Sequence, residues 1–452
     1  MEINKEKIIS LIKEKKVKEF KQEIEDFHYV DLALIIDELE DDYQVIAFRM
    51  LPKNIAADVF SYLSLDNQEE IIKKITDKEI TAIIEDLFVD DAVDILDELP
   101  SIMVKKILAN AKSETRNVLN QFLNYKENSA GSIMTSEYIG LKKNMTVKQA
   151  IDKIRKVGQD KENIYTCYVM DDSRKLLGVV SAKQLLLAEE ETLLKDIMEE
   201  NIIYTNTNED QEEVSKIMQK YDLLALPVVD NESRLVGIIT IDDAFDVIVE
   251  ETEEDFEKMA AMLPSDKPYL DMSVWSLFKN RIIWLGILMI TGMITGAILE
   301  SFEAAIATLP LLVSFIPMLN DTGGNSGSQA ATMCIRGLTT GEITPKQWLK
   351  IWWKEFRVSL LISISLALFN FLRIVIFQHD EPLKFQYALV VCSTLIITVI
   401  IAKSIGALLP LLAKKLKLDP AVCAAPMITT IVDCCAILIY FGFANLVFNT
   451  ML

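Results

Sequence analysis

In TTIVDCCAIL, residues 429–438, Asp433 is the one charged side chain, and no other charge occurs between Pro420 and Leu452. An ionised group near the middle of a membrane-spanning helix costs at least ~3 kcal/mol on insertion scales, so it ordinarily faces a bundle interior or a water path. Two chemistries fit: a carboxylate that holds a cation, or a structural aspartate that is protonated or bonded to a neighbouring helix. A second anomaly is PMLNDTGGNSGSQAAT, residues 317–332, where an apolar segment gives way to glycines and amides. Either its backbone is irregular and lines water, offering carbonyls to a hydrated ion, or Gly323, Gly324 and Gly327 allow helices to pack tightly. Further carboxylates cluster outside the apolar region. Asp90, Asp91 and Asp94 open one helical unit, and Glu250, Glu251, Glu253, Glu254 and Asp255 fall within six residues. On a helix Glu251, Glu254 and Asp255 share a face, where like charges repel unless a cation sits among them. The plain alternatives are a helix start that complements the macrodipole and an exposed acidic helix.

The elements that must position these residues divide into two bodies. Of 452 residues with a net charge of -21, residues 271–452 hold 10 acids and 13 bases, leaving 57 acids and 33 bases in residues 1–270. A soluble acidic body therefore precedes a membrane body. The opening MEINKEKIISLIKEKK lacks an apolar core of signal-peptide length, so the first body is expected in the cytosol. The six cysteines show no disulfide or metal spacing, which fits a reduced compartment, and the two histidines, His28 and His379, speak against an imidazole metal site. No nucleophile, base and orienter arrangement and no phosphate loop occurs, so the chain reads as a non-enzyme, and no nucleic-acid partner is expected.

Ile282–Leu299 is an uncharged stretch flanked by Arg281 and Glu300, near the length that a bilayer core of about 30 Å demands. Further apolar stretches at 304–334, 356–377, 385–412 and 421–449 bring the expectation to five spans. With a cytosolic amino terminus the carboxyl terminus then lies outside. The loops after spans two and four carry Arg336, Lys346, Lys350, Lys354 and Arg357, then Lys414, Lys415 and Lys417, as inner loops should. Arg373 and Lys403 lie nearer span ends and are expected to snorkel. Gly292 and Gly296 form a GxxxG in span one that would permit close helix contact.

Residues 1–126 read as helix, with the apolar units LALIIDEL, AADVFSYL, TAIIEDL and AVDILDEL too short to bury a face alone and so expected to stack as a superhelix. Two later segments repeat at about 60 residues. GSIMTSEYIGLKKNMTVKQAIDKIRK with CYVMDDSRKLLGVVSAKQLL matches LKDIMEENIIYTNTNEDQEEVSKIMQK with LPVVDNESRLVGIITIDDAF. These resemble a tandem CBS pair, 127–195 and 196–249. Such pairs often bind adenine nucleotides through T/S-x-x-D, which Thr240 and Asp243 supply in the second repeat, whereas Ser181 is followed by Gln184 in the first. Asp243 equally suits a helix start.

The order of an acidic helical domain, a CBS pair, an acidic connecting helix and five spans resembles the MgtE family of magnesium transporters and channels. So do P-x-x-x-D-T-G-G-N-x-G-x-Q in span two and D-P-A, then P-x-x-T-x-x-D, in span five. The fold class implied is multidomain: an α-helical superhelical N domain (1–126), the α/β tandem CBS pair, a connecting helix (250–272) and an all-α transmembrane domain of five helices (273–452). The resemblance implies a homodimer in the lipid bilayer, with Asp433 of each copy facing a central pore and Asp419 and the carbonyl of Ala421 at its mouth. It further implies Mg²⁺ as both cargo and regulator, with ATP as a second ligand of the CBS pair. The sensor acids implied are Asp210, Glu212, Asp222, Asp243 and Asp246, with Asp90, Asp91 or Asp94 opposite, and Glu251, Glu254 and Asp255 on the connecting helix. Where some members carry Asn before the span-five proline, this chain has Ala425, so its ion selectivity is expected to differ. The rival reading is a membrane-anchored CBS nucleotide sensor that transports nothing.

Overall fold

The computed structural model describes residues 5–25, 27–265, 269–270, 272–423 and 425–448. These divide into two units, 1–248 and 249–452. The first unit begins with ten helices: α1 (Lys5–Lys13), α2 (Val17–Glu23), α3 (Tyr29–Asp37), α4 (Asp41–Met50), α5 (Lys53–Ser61), α6 (Leu65–Lys74), α7 (Asp77–Asp86), α8 (Val89–Glu98), α9 (Ser101–Asn110) and α10 (Ser113–Phe122). Each is only two to three turns long, so none is stable alone. Alternate helices pack, α3 on α5, α5 on α7 and α7 on α9, with α6 on α8 and α8 on α10, which builds the expected superhelix. Local caps set the boundaries. At Thr76 the side chain accepts from the Glu79 N–H while the Glu79 carboxylate accepts from the Thr76 N–H, a closed capping box. Fully buried Phe20, Leu32, Phe60, Ile71 and Leu119 line one continuous core.

Two similar modules follow. In the first, β1 (Tyr138–Lys142) pairs parallel with β2 (Asn163–Met170), which pairs antiparallel with β3 (Leu176–Ser181). Helices α11 (Val147–Val157), α12 (Ala182–Leu187) and α13 (Leu194–Ile197) accompany them. The second repeats this order with β4 (Thr205–Asn206), α14 (Gln211–Tyr221), β5 (Ala225–Val229), β6 (Leu235–Thr240) and α15 (Ile241–Met259). The repeated turn is built alike in both. Asp171 Oδ1 accepts from the N–H groups of Ser173 and Lys175 at 2.8 and 2.9 Å, and Asp230 Oδ1 does the same for Glu232 and Arg234. The two turns also bond to each other, Leu176 N–H to the Ser233 carbonyl and Leu235 N–H to the Arg174 carbonyl. This makes the repeats one body.

The second unit holds the last turns of α15, then α16 (Val274–Glu300), α17 (Glu303–Thr308), α18 (Ile316–Thr339), α19 (Trp348–Phe377), α20 (Lys384–Lys415) and α21 (Ala425–Phe448). Of the connecting segment 250–272, residues 266–268 and 271 lie outside the described residues. Among the described residues four helices are long and apolar enough to cross a membrane: α16, α19, α20 and α21. The second expected span, 304–334, is divided. Pro310 starts a 3-10 turn, and the helix proper begins at Ile316, with a proline in its first turn where no N–H is needed. Its glycines and amides lower its hydropathy without breaking it, so the irregular-backbone reading of 317–332 gives way to a continuous helix.

Close packing is what those glycines provide. A Cβ on Gly323 would lie 2.7 Å from Thr398 of α20 and 2.8 Å from Val432 of α21. One on Gly324 would meet Thr429, and one on Gly406 of α20 would fall 2.1 Å from the Gly327 carbonyl oxygen. Gly292 and Gly296, by contrast, have nothing within 4 Å of that position, so the GxxxG of α16 makes no close contact among the described residues. Lys403 does not snorkel. Its side chain is 5% exposed and its Nζ lies 3.5 Å from Glu355 Oε2 of α19, because α20 continues three turns beyond it and holds it inside the bundle.

Candidate ion site

Helix α21 carries Asp433 beside the contact of its own Thr429 and Val432 with the glycine face of α18. The carboxylate is half-buried, and among the described residues no hydrogen bond or ion pair engages it. Asp321 of α18 is near enough for its charge to act on Asp433. Asp321, Asn325 and Gln329, four residues apart, form an exposed polar row, and the Asn325 side-chain amide donates to Asp321 Oδ1 at 3.0 Å. A row of that kind on a bundle helix is compatible with water or a partner and costly against lipid. The sequence motif contained Asp321, but one chain of residues could not show that it approaches Asp433. The side chain of Ala425 lies outside the described residues.

Just before α21, Asp419 Oδ1 accepts the Ala421 N–H at 2.8 Å, and Ala421 is buried. Asp419 Oδ2 lies 2.7 Å from Lys258 Nζ. Of the connecting-helix acids, Glu254 Oε1 is 2.6 Å from the same ammonium, Asp255 Oδ2 accepts from the Thr339 hydroxyl at 3.5 Å, and Glu251 is half-buried.

In the first unit the acids of α8 meet those of the modules. Asp90 Oδ1 and Glu162 Oε2 are buried with no hydrogen-bond partner. Burial first, then the charges of Asp243, Asp91, Glu162 and Glu137, holds the Asp90 carboxyl well above its usual range. Burial, then Asp58 and Asp242, pushes Asp91 up to about 6. Burial, then Asp242, Asp243, Asp91 and Glu137, pushes Glu162 up to about 7. Asp243 rises to about 6, chiefly through burial and against the lowering effect of its bonds from Thr240. Asp246 is raised by burial and by Asp242. Glu137 and Glu162 were not anticipated, since they sit in the segments just before β1 and β2, whose sequence carries no acidic run.

Other anticipated acids are used locally. Asp210 caps α14 by accepting the Glu212 N–H at 3.0 Å, Glu212 pairs with Lys216 at 2.7 Å, and Asp222 ends α14 in a left-handed conformation, φ 53°. Asp94 is exposed on α8. Thr240 and Asp243 form a cap on α15, with the Asp243 carboxylate accepting the Thr240 N–H at 3.3 Å and its hydroxyl. Ser181 and Gln184 form the same box in the first module with a neutral acceptor. Among the described residues no three His, Cys, Asp or Glu side chains converge tightly enough to hold a metal ion.

Profile comparison matches the divalent cation transporter domain of MgtE to residues 316–443, the MgtE intracellular N domain to 27–128 and CBS domains to 130–191 and 194–250. The magnesium transporter MgtE of Thermus thermophilus is 35% identical over 433 residues, 95% of each chain. The chain belongs to the MgtE family. The magnesium transporter MgtE of Bacillus subtilis is 32% identical over 97% of this chain and 96% of its own. Among solved structures, the cytosolic domain of the Mg²⁺ channel MgtE in complex with ATP is 34% identical, with TM-score 0.51, covering 53% of this chain and 98% of that one. The soluble part of a magnesium transporter is 28% identical, with TM-score 0.52, covering 55% and 97%. This MgtE-family chain thus has the family's helical N domain, CBS pair and apolar helices, and its full-length relatives are transporters.

Proposed function

We propose that this chain carries Mg²⁺ across the membrane through a pore lined by Asp433 from each of two copies. In this reading Mg²⁺ on the cytosolic side closes the pore by binding acids of the N domain (1–126), the CBS pair (127–195 and 196–249) and the connecting helix (250–272). The observation that carries it is the half-buried Asp433 carboxylate, unbonded among the described residues and beside the exposed row Asp321, Asn325 and Gln329. A second copy bringing the same groups would make two carboxylates and several amides face one water-filled path. Mg²⁺ sheds water reluctantly, so a few carboxylates that hold it through its hydration shell both attract it and let it leave. The dication in turn offsets the repulsion between the acids.

In the membrane domain (273–452) α18 supplies the fifth crossing, sheltered from lipid by its neighbours. The amino terminus then lies in the cytosol and the carboxyl terminus outside. Asp419 and the Ala421 carbonyl stand at the cytosolic mouth. The regulatory set is centred on Asp90, Asp91, Glu162 and Asp243, whose proton affinities are raised by burial first and by one another's charges second, an environment that a bound cation would relieve. A cation bound there must favour the closed arrangement over the open one, or it shifts nothing. The ATP-bound neighbour supports adenine-nucleotide binding by the CBS pair, with Thr240 and Asp243 the matching motif. A tether that only displays a nucleotide sensor is not favoured, because it leaves Asp433 and the α18 row without a task.

The test is Mg²⁺ influx into proteoliposomes holding the full chain. Wild-type protein is expected to conduct and to close as cytosolic-face Mg²⁺ rises. Neutralising Asp90, Asp91 and Asp243 together should leave it open at high Mg²⁺. Unaltered inhibition in that triple variant would remove the sensor assignment, and no influx with wild-type protein would remove the transport reading.

A further inference from the structure

The last turns of α15 bring one lysine to an acid far along the chain. Lys258 Nζ lies 2.6 Å from Glu254 Oε1 on its own helix and 2.7 Å from Asp419 Oδ2, just before α21. The ammonium is therefore shared between a carboxylate of the connecting helix and a carboxylate of the segment leading into the Asp433 helix. The side chains are 22% exposed at Lys258 and 34% at Asp419, so water reaches the pair without engulfing it. The next residue, Met259, packs against the cluster of Ala331 and Ile335 of α18, Ala402 of α20, and Ile428 and Val432 of α21. Beyond it the chain reverses at Ala261, φ 54°, and the Leu263 N–H donates to the Asn280 carbonyl of α16 at 3.0 Å. The end of α15 is thus seated on the bundle by the apolar anchor at Met259 and the Lys258–Asp419 ion pair, beside the hydrogen bond from Thr339 to Asp255.

We propose that Lys258 is a built-in cation that seats the connecting helix on the pore mouth, a positioning residue that links Glu254 to Asp419 without a metal ion. The inference rests on the reading of Asp419 as part of the mouth. A lysine ammonium is a compact point charge with three donors, so it bridges two carboxylates much as a small cation would. Being tethered, it competes at high effective concentration with any free ion for Asp419. Two consequences follow. Part of the closing free energy is present before Mg²⁺ binds, and an ion entering past Asp419 must displace Lys258, which loosens the helix end as it does so. With Lys258 removed, Glu254 and Asp419 face each other as like charges, and seating then requires Mg²⁺ to take the vacated place.

Inside-out patch recordings of the full chain, with Mg²⁺ titrated on the cytosolic face, test this. Lys258→Gln is expected to need roughly threefold or more Mg²⁺ for half-closure, the size appropriate to one partly exposed ion pair. Lys258→Arg, which keeps the charge, should close near the wild-type concentration, a rescue that a merely space-filling role would not produce. Lys258→Met keeps the apolar stem and gives the charge effect independently if the glutamine variant folds poorly. Half-closure of Lys258→Gln and Lys258→Met at or below the wild-type Mg²⁺ overturns the assignment, as does an arginine variant that behaves like glutamine. Wild-type protein that closes with Mg²⁺ while these variants are unchanged sinks only the Lys258 inference, whereas wild-type protein without Mg²⁺ current sinks the transport reading beneath it.

Discussion

Asp433 and Asp321 are separated by what each can reach. Asp433 is half-buried on α21 with no bond among the described residues, while Asp321 is exposed and already accepts from Asn325. Replacing Asp433 with Asn keeps the volume and removes the charge proposed to hold a dication, so Mg²⁺ influx is expected to fall at least about tenfold, the factor that 1.4 kcal/mol of lost ion stabilisation produces. Asp321→Asn should cost less, because the amide still orders water on the exposed row. Liposome flux at equal protein loading orders the two, and an Asp433→Asn variant with wild-type influx removes Asp433 from the path. Asp433 was legible in the sequence because it is the sole charge in a long apolar run. Lys258 was not, since it sits among charges where an i,i+4 pair with Glu254 is unremarkable, and only the chain's return brings Asp419 to it. Lys403 misled by its distance from the next basic loop, where the fold buries it against Glu355.

The elements carry two further expectations. Gly406 of α20 leaves no space for a methyl, since a Cβ would fall 2.1 Å from a backbone oxygen of α18. Gly406→Ala must push two packed helices apart, at a cost of about 1–3 kcal/mol, and should lower the thermal midpoint of the detergent-solubilised protein. An unchanged midpoint would mean that these helices are less tightly joined. In the first unit the acids of α8, of the turn before β2 and of α15 titrate upward together, with Asp91 and Asp243 near 6 and Glu162 near 7. Their unfolded values lie at about 4, so between those limits the folded state binds more protons than the unfolded one. Stability is then fullest below about pH 4 for these groups and is lost as pH rises through about 6 to 7. Amide exchange in residues 1–248, corrected for intrinsic rates, is expected to be faster at pH 7.5 than at 5.5 and to slow again when Mg²⁺ is added. Protection that ignores both pH and Mg²⁺ would count against a sensor here. The helical units and repeated modules were readable from apolar spacing and turn residues, but α18 was not. Its glycines resemble breaks until their neighbours are known, and packing against α20 and α21 is what makes them helix positions.

For the molecule as a whole, stoichiometry is the open quantity. Light scattering of the purified protein, with detergent mass subtracted, should give twice the 51.2 kDa of one chain. A single-chain mass at transport-active concentrations would contradict the paired path. The contact between Gly327 and Gly406 has its bearing here. Where a methyl group cannot be admitted between two helices, a magnesium ion wrapped in water certainly cannot pass. At that contact one copy offers no conduit, and in the proposed function traffic runs instead along its outer polar seam. It follows that vesicles holding intact chains mixed with Asp433→Asn chains should lose conductance faster than the intact fraction falls, because each crippled chain also spoils the partner it joins.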